Sequence, residues 1–244
     1  MFGVNYFGQS YFGQGYAVPG ILFDNSSSSG YEASLSTYSW AHVCAGPLGG
    51  LIVNVSIFLT GKVTSITYGG VNMVFVRADT IGVYRNEVWS LPTPAQGSNT
   101  VVVTLNTSVT SIASASSYNN VDQFDIVESS NGATGSGIST PSVTATTIDN
   151  NAWVASGLTT SNTSMAVAGG ATQRTNNTGA LGTGAISDIG PVTPAGSRVM
   201  SWSAVGSLDS WVLDEVVLDP YIDRVLLPAP GIVKLQAVNR AGNY

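Results

Sequence analysis

His42 and Cys44, in the segment SWAHVCA, are the first residues with chemical potential, because they are the chain's single histidine and single cysteine. In a strand, positions two apart share a face, so thiol and imidazole would sit side by side as nucleophile and base. The plainer reading makes both ordinary strand side chains. One His and one Cys cannot supply the three or four ligands of a zinc site. The sequence contains no GxSxG, HExxH or GxxxxGK[ST] signature. Its glycines fall between predicted strands, not between a strand and a helix, so no phosphate-cradling loop is expected.

The carboxylates form the second set. Asp122, Asp125 and Glu128 lie in NVDQFDIVES, and Asp209, Asp214, Glu215 and Asp219 in SLDSWVLDEVVLD. Read as a strand, the second segment puts Glu215 and Asp219 on one face with Trp211 and Leu213, and Asp214 on the other with Val212 and Val216. Two acids across a groove would suffice for a glycosidase, and acids with loop carbonyls could hold calcium. Against both stands the reading in which Asp209 and Asp219 end the strand and the rest meet solvent or Arg. The expectation is therefore no catalytic residue, no cofactor and no metal. Trp40, Trp89, Trp153, Trp202 and Trp211 sit among alternating apolar residues, which favours a core role over sugar stacking.

These side chains need elements to hold them, and the pattern is strand, turn, strand. LIVNVSIFL alternates, with Leu51, Val53, Val55, Ile57 and Leu59 on one face. Thr60-Gly61 turns into KVTSITYGG, and Gly69-Gly70 turns into VNMVFVR. VYRNEVWSL follows and ends at Pro92 and Pro94; Val101, Val103 and Leu105 then share a face in TVVVTL. SVTSIASASSY, QFDIVES, SVTATTI, NAWVASGL, SMAVAGG, SRVMSWSAV and DSWVLDEVVLD continue the series, at the 8–12-residue spacing of a sandwich or barrel. GATGSGISTP and TNNTGALGTGAISDIGP read as long Gly/Thr loops. The expected core comprises Val53, Val55, Ile57, Val101, Val103, Trp153, Trp202 and Trp211, between two antiparallel sheets.

Composition agrees with an all-β chain. Of 244 residues 43% are hydrophobic but only 9% charged, so Ser, Thr, Asn and Gly must cover the surface. Lys and Arg total 8 against 14 Asp and Glu, a net charge of −6 with no basic cluster, a poor match to a phosphate backbone. No apolar run reaches the ~18 residues of a membrane helix, and Met1 is followed by neither a basic nor an apolar leader segment. Synthesis in a host cytoplasm without a signal peptide is expected.

Two arms flank the predicted domain, which spans 31–219. Residues 1–30 open with Phe-Gly-x-x-Tyr written three times, giving Phe2, Tyr6, Phe7, Tyr11, Phe12 and Tyr16, and close with Asn25-Ser-Ser-Ser-Ser-Gly30, read as a flexible joint. A five-residue period fits neither strand nor helix, so these rings are read as anchors that order on another subunit. Residues 220–244 carry three prolines in their first eleven positions yet remain apolar, as in an arm that lies on something.

Openings of the type YFGQSYFGQGY resemble the N-termini of small virion proteins of tailed bacteriophages. VTSITYGGVNMVFVR, EVWSLPTPAQGSNTVVVTL, SSYNNVDQ and MSWSAVGSLDSWVLDEVVL resemble lectin-like jelly-roll modules of phage appendages and secreted adhesins. The resemblance implies a jelly-roll-like antiparallel β-sandwich on a virion surface, as capsid decoration, head fibre or tail appendage, with other virion subunits as partners. It carries over no active-site residue. The alternatives are a glycan-binding host-recognition module and a carboxylate-dependent carbohydrate-active enzyme. Weak binding by one arm implies a homo-oligomer, most simply a trimer, that presents several arms together.

Overall fold

The computed structural model describes residues 20–161, 165–204 and 210–221. It is all-β and antiparallel. The first seven strands are β1 (Leu22–Cys44), β2 (Gly50–Ile57), β3 (Val63–Tyr68), β4 (Val71–Asn72), β5 (Val74–Ile81), β6 (Tyr84–Pro92) and β7 (Gly97–Asn119). Then come β8 (Val127–Gly135), β9 (Ser142–Thr146), β10 (Ala152–Thr160), β11 (Met165–Ala168), β12 (Thr172–Gly179), β13 (Gly182–Val192), β14 (Ser197–Ala204) and β15 (Trp211–Leu218).

The span expected to hold one sandwich holds two, and they are built alike. In the first lobe β1 and β7 are 23-residue strands paired along their whole length. The end of β7 near Tyr118 also pairs with β2, and the end near Val101 pairs with β3. One long ribbon thus serves two sheets, β5-β6-β2-β7-β1 and β4-β3-β7-β1. In the second lobe the same places are taken by separate strands, giving β12-β13-β10-β15-β8 and β11-β14-β9. Counting each half of β1 and β7 separately and leaving out the two-residue β4, both lobes put their first, eighth, third and sixth strands in one sheet and their second, seventh and fourth in the other. The fifth strand lies beside the sixth in the first of these sheets.

Details of register confirm the duplication. Asp24, bulged out between Phe23 and Asn25, accepts the Ala45 amide at 2.9 Å; Glu128, at the matching irregularity before Ser129, accepts the Ile148 amide at 2.9 Å. The edge strands β5 and β12 each carry a bulge, at Val76 and at Arg174.

Each lobe encloses its own core. Leu51, Val53, Val55, Ile57, Val101 and Val103 fill the first, as their alternation predicts, with Trp89. Trp202, Trp211, Met200 and Leu213 fill the second. Trp153 joins neither: it lies with Ile52, Tyr118 and Leu218 in a third cluster that glues one lobe to the other. Leu59, expected inside, is 42% exposed because β2 has already ended at Ile57.

The lobes meet face to face about an approximate twofold axis that runs along the strands. β2 faces β10 on the axis; β1 lies on β12 as β8 lies on β5, and β7 on β13 as β15 on β6. Such an interface places matching residues against each other on the axis. Ser56 and Thr159 do so at 2.8 Å, and a Cβ on Gly157 would collide with the side chain of its counterpart Asn54. The polar alternates of LIVNVSIFL are consequently buried, not solvated.

Two sequence readings are corrected. The run Asn25–Gly30 is not a flexible joint but part of β1, because its hydroxyls have partners. Ser28 Oγ donates to the Ala113 carbonyl at 2.8 Å, the Ala113 amide donates to Ser29 Oγ at 3.1 Å, and Trp40 Nε1 donates to Ser27 Oγ at 2.9 Å. TNNTGALGTGAISDIGP is not a loop but most of β12 and β13, and β13 is an interior strand. Its small residues suit a sheet whose partner sheet approaches closely; a Cβ on Gly184 would press on Ser56 and Ile112.

Candidate functional site

Phe2, Tyr6, Phe7, Tyr11, Phe12 and Tyr16 lie outside the described residues, as do Asp209 and the C-terminal arm beyond Tyr221. The points where the arms join the body are described, and they are neighbours. Asn120 Nδ2 donates to the Gly20 carbonyl at 3.2 Å, and the Tyr221 amide donates to the Asn120 carbonyl at 2.8 Å. Both arms leave from one pole.

His42 and Cys44 do share an inward face, but they are not arranged as nucleophile and base. Burial pushes the imidazole down to about 4, and Nδ1 meets Ser27 Oγ at 2.7 Å. Burial pushes the Cys44 thiol up, and its hydrogen-bond partners are Tyr68 and Ser117. An activated thiolate needs the opposite shift.

The acids are spread over three environments. Asp122 closes the turn after β7: its Oδ1 accepts the amides of Phe124 (2.7 Å) and Asp125 (3.1 Å). Glu128, Asp149 and Asp219 lie close together nearby. Asp219 is pushed up to about 6, first by burial and then by Asp149, Glu128 and Asp122. Glu128 is also pushed up, chiefly by burial. Among the described residues no group of three or more His, Cys, Asp or Glu is disposed to hold a metal ion. Asp149 had no place in the sequence reading because it sits in the β9–β10 turn, far along the chain from the other acids.

Asp214 and Glu215 point to opposite faces of β15, as alternation predicts. Asp214 enters the seam between the lobes, where Arg77 Nε lies 3.3 Å from Oδ1 and Asn86 Nδ2 donates to Oδ2 at 3.0 Å. Arg77 also pairs with Asp79 at 2.6 Å. Burial and the neighbouring Asp79 push Asp214 up to about 8. Burial opposes the ionisation of Asp79 too, yet its hydrogen bonds with Asp214 and Arg77 outweigh that and hold it down. Burial and proximity thus favour the protonated form of Asp214 and the ionised form of Asp79. On the far side of the seam, Arg174 stacks over the Phe23 ring at 3.5 Å and pairs with Asp188 at 2.8 Å; Tyr118 donates to the same carboxylate oxygen at 3.0 Å. Sequence reasoning overlooked this network. Its signal was an arginine in the middle of each of two strand-length segments.

Glu215 faces into the second lobe and is 1% exposed. It lines a cavity of about 360 Å³ between β8, β9 and β15, with Asn131, Thr144, Ala145, Ile148 and Val217. Among the described residues neither carboxyl oxygen has a hydrogen-bond partner, and burial pushes the group up to about 8.

A second opening, also about 360 Å³, borders the pole where the arms leave. Val74, Phe75, Pro92, Phe124 and Ile126 line it, with Phe124 81% and Phe75 49% exposed.

No known protein family, curated protein or solved structure matches this chain. The functional reading therefore rests on the geometry above.

Proposed function

We propose that this chain is a structural protein exposed on a viral particle of the tailed-bacteriophage kind, held there by its N-terminal aromatic arm. The observation that carries the reading is the shared exit of the two arms at Asn120. A body whose apolar extensions both leave from one pole has an attachment end and a free end. The exposed Phe124, Phe75 and Val74 at that pole extend the apolar surface beyond the arms, as expected of a contact with another subunit. The remaining coat of Ser, Thr and Asn suits long exposure to solvent without charge.

The partners in this reading are other virion subunits. Six rings that bury half of ~150–250 Å² each would contribute on the order of 10 kcal/mol. Ordering some fifteen residues at ~1–2 kcal/mol each offsets that. Several arms must therefore act together, through self-association or many copies on the particle. Deletion of residues 1–18 tests the proposal. The truncated protein keeps all of β1–β15 and is expected to fold, but to lose self-association by light scattering and incorporation into particles. Normal incorporation of the truncated chain would overturn the role of the arm.

Recognition of a cell-surface glycan is a second reading, favoured by one observation: an aromatic ring, Phe124, stands out from a loop beside Asp125. A glycan array probed with the parent protein and with Phe124→Ala separates the two readings. Glycan binding that disappears in the variant favours recognition; a blank array leaves the ring to attachment.

A further inference from the structure

The duplication supplies an internal control for the cavity around Glu215. The register that pairs Ser27 with Ala115 in the first lobe pairs Asn131 with Glu215 in the second. The matching positions across the sandwich are Trp40 and His42 in the first lobe and Val143 and Ala145 in the second, set by Trp40↔Val101 and His42↔Asn99 against Val143↔Met200 and Ala145↔Arg198. The first lobe closes this place: Trp40 Nε1 and His42 Nδ1 both meet Ser27 Oγ, at 2.9 and 2.7 Å, above the small side chain of Ala115. In the second lobe the two large rings are replaced by Val143 and Ala145. Asn131 turns away to bond the Thr144 carbonyl at 3.0 Å and the Gly132 amide at 2.9 Å. What remains is an opening of about 360 Å³ with a carboxyl group where the other lobe has a methyl.

A buried carboxyl whose two oxygens meet no donor is costly unless something supplies donors. Among the described residues no Lys, Arg or His lines the cavity. Its wall combines the apolar surface of Ala145, Ile148 and Val217 with hydroxyl groups. At the rim, Glu128 holds the Ile148 amide at 2.9 Å, and Asp149 and Asp219 add to the negative field. A sugar hydroxyl can donate to the carboxylate but brings no opposite charge to balance it. An ammonium group on an alkyl stem offers only donors, carries the complementary charge and matches the mixed wall.

We propose that the cavity between β8, β9 and β15 is a binding site for a primary alkylammonium group, with Glu215 as its counter-ion. The group belongs to a lysine side chain of a neighbouring protein or to a free aliphatic amine. Burial favours the protonated form of Glu215, so binding an ammonium is expected to release a proton. Arg77, on β5 behind β15, works weakly against this protonation, while Glu128, Asp149 and Asp219 at the rim favour the incoming cation.

Calorimetric titration of the full chain tests the assignment with four probes: n-butylammonium, putrescine, a capped Gly-Lys-Gly peptide, and n-butanol as neutral isostere. The amines are expected to bind, more tightly as pH rises from 6 to 8, with an enthalpy that depends on the buffer because a proton leaves. Butanol is expected not to bind. Glu215→Gln should weaken the amines roughly ten-fold or more, the loss of a charge-assisted bond. Ala145→His, which restores the filling of the first lobe and leaves Glu215 in place, should weaken them similarly with an unchanged melting profile. Tighter binding of the peptide than of butylammonium assigns the site to a protein lysine; the reverse assigns it to a free amine. Binding of butanol as strong as that of the amines, undiminished binding in both variants, or no binding by any amine would overturn the proposal.

Discussion

The two halves of the seam between the lobes perform one task with different chemistry. On one side Arg77 reaches Asp214; at the twofold-related place Thr175 Oγ1 donates to Ser114 Oγ at 2.8 Å. Asp79 crowds Gly132 on the first side, whereas Asn177 Nδ2 donates to Ser28 Oγ at 2.8 Å on the second. Arg174 stacks on Phe23 where, on the first side, Val76 and Val127 pack against the third cluster. The geometry tolerates charge, hydroxyl or hydrocarbon at equivalent points. What the duplication preserves is the packing of sheet on sheet, and each side pairs polar groups across it by its own means.

If each lobe fills its interior independently of the seam, the largest loss should come from inside a lobe. Trp202 is fully buried in the second core. Its replacement by Ala is expected to cost about 3–5 kcal/mol in chemical denaturation. A loss below about 1 kcal/mol would mean that the second lobe draws its stability from the first.

The seam itself comes next. Arg77→Thr alone strands Asp214 and should cost about 1–3 kcal/mol, lowered by the partial exposure of the arginine. Adding Asp214→Ser recreates the Thr–Ser pair of the other side, and most of the loss should be recovered. A double variant as unstable as the sum of its singles would break the equivalence of the two sides.

Acidity separates the lobes further, because Asp214, Glu215 and Asp219 all belong to the second. Asp214 and Glu215 are pushed up to about 8 and Asp219 to about 6, so the folded chain holds protons that the unfolded chain releases. Their contribution is complete below about pH 4 and lost as pH climbs to about 8. Asp79, pushed down, acts in the opposite sense and loses its contribution as pH falls below about 4. Scanning calorimetry should therefore find a higher melting temperature near pH 5 than near pH 8.5. A rise over that interval would contradict the buried, protonated state of the pair. The smallest effect is expected for Phe124→Ser, within about 0.5 kcal/mol, because the ring is exposed.

Strands that bury one apolar face were legible in the sequence. Val53, Val55 and Ile57, or Val101 and Val103, announce their own period. Strands that bury polar faces were not. The serines between Asn25 and Gly30 look solvated until their partners on β7 and β12 are known, and TNNTGALGTGAISDIGP, from Thr175, reads as a loop for the same reason. The duplication left traces: Gly69-Gly70 and Thr93-Pro94-Ala95 recur one hundred positions later as Gly169-Gly170 and Thr193-Pro194-Ala195. They escape notice because the strands between have diverged in character; SIASASSY at 111–118 answers to WVLDEVVL at 211–218. Of the sites, alternation correctly sent Asp214 and Glu215 to opposite faces. That Glu215 borders a cavity depends on Val143 and Ala145, some seventy residues away, being small.

The shared exit at Asn120 also decides how the body would carry a load. β1 begins at that pole and β15 ends there, one strand in each lobe, and β1 is paired with β7 from end to end, interrupted only by bulges. A pull that draws Gly20 away along the β1 axis strains the rungs of that ladder together, in shear, instead of peeling them one by one. A matching pull on Tyr221 does the same to β15 between β10 and β8. Tension on either arm is spread at once over many hydrogen bonds, and two arms held at the same pole would divide it between the lobes.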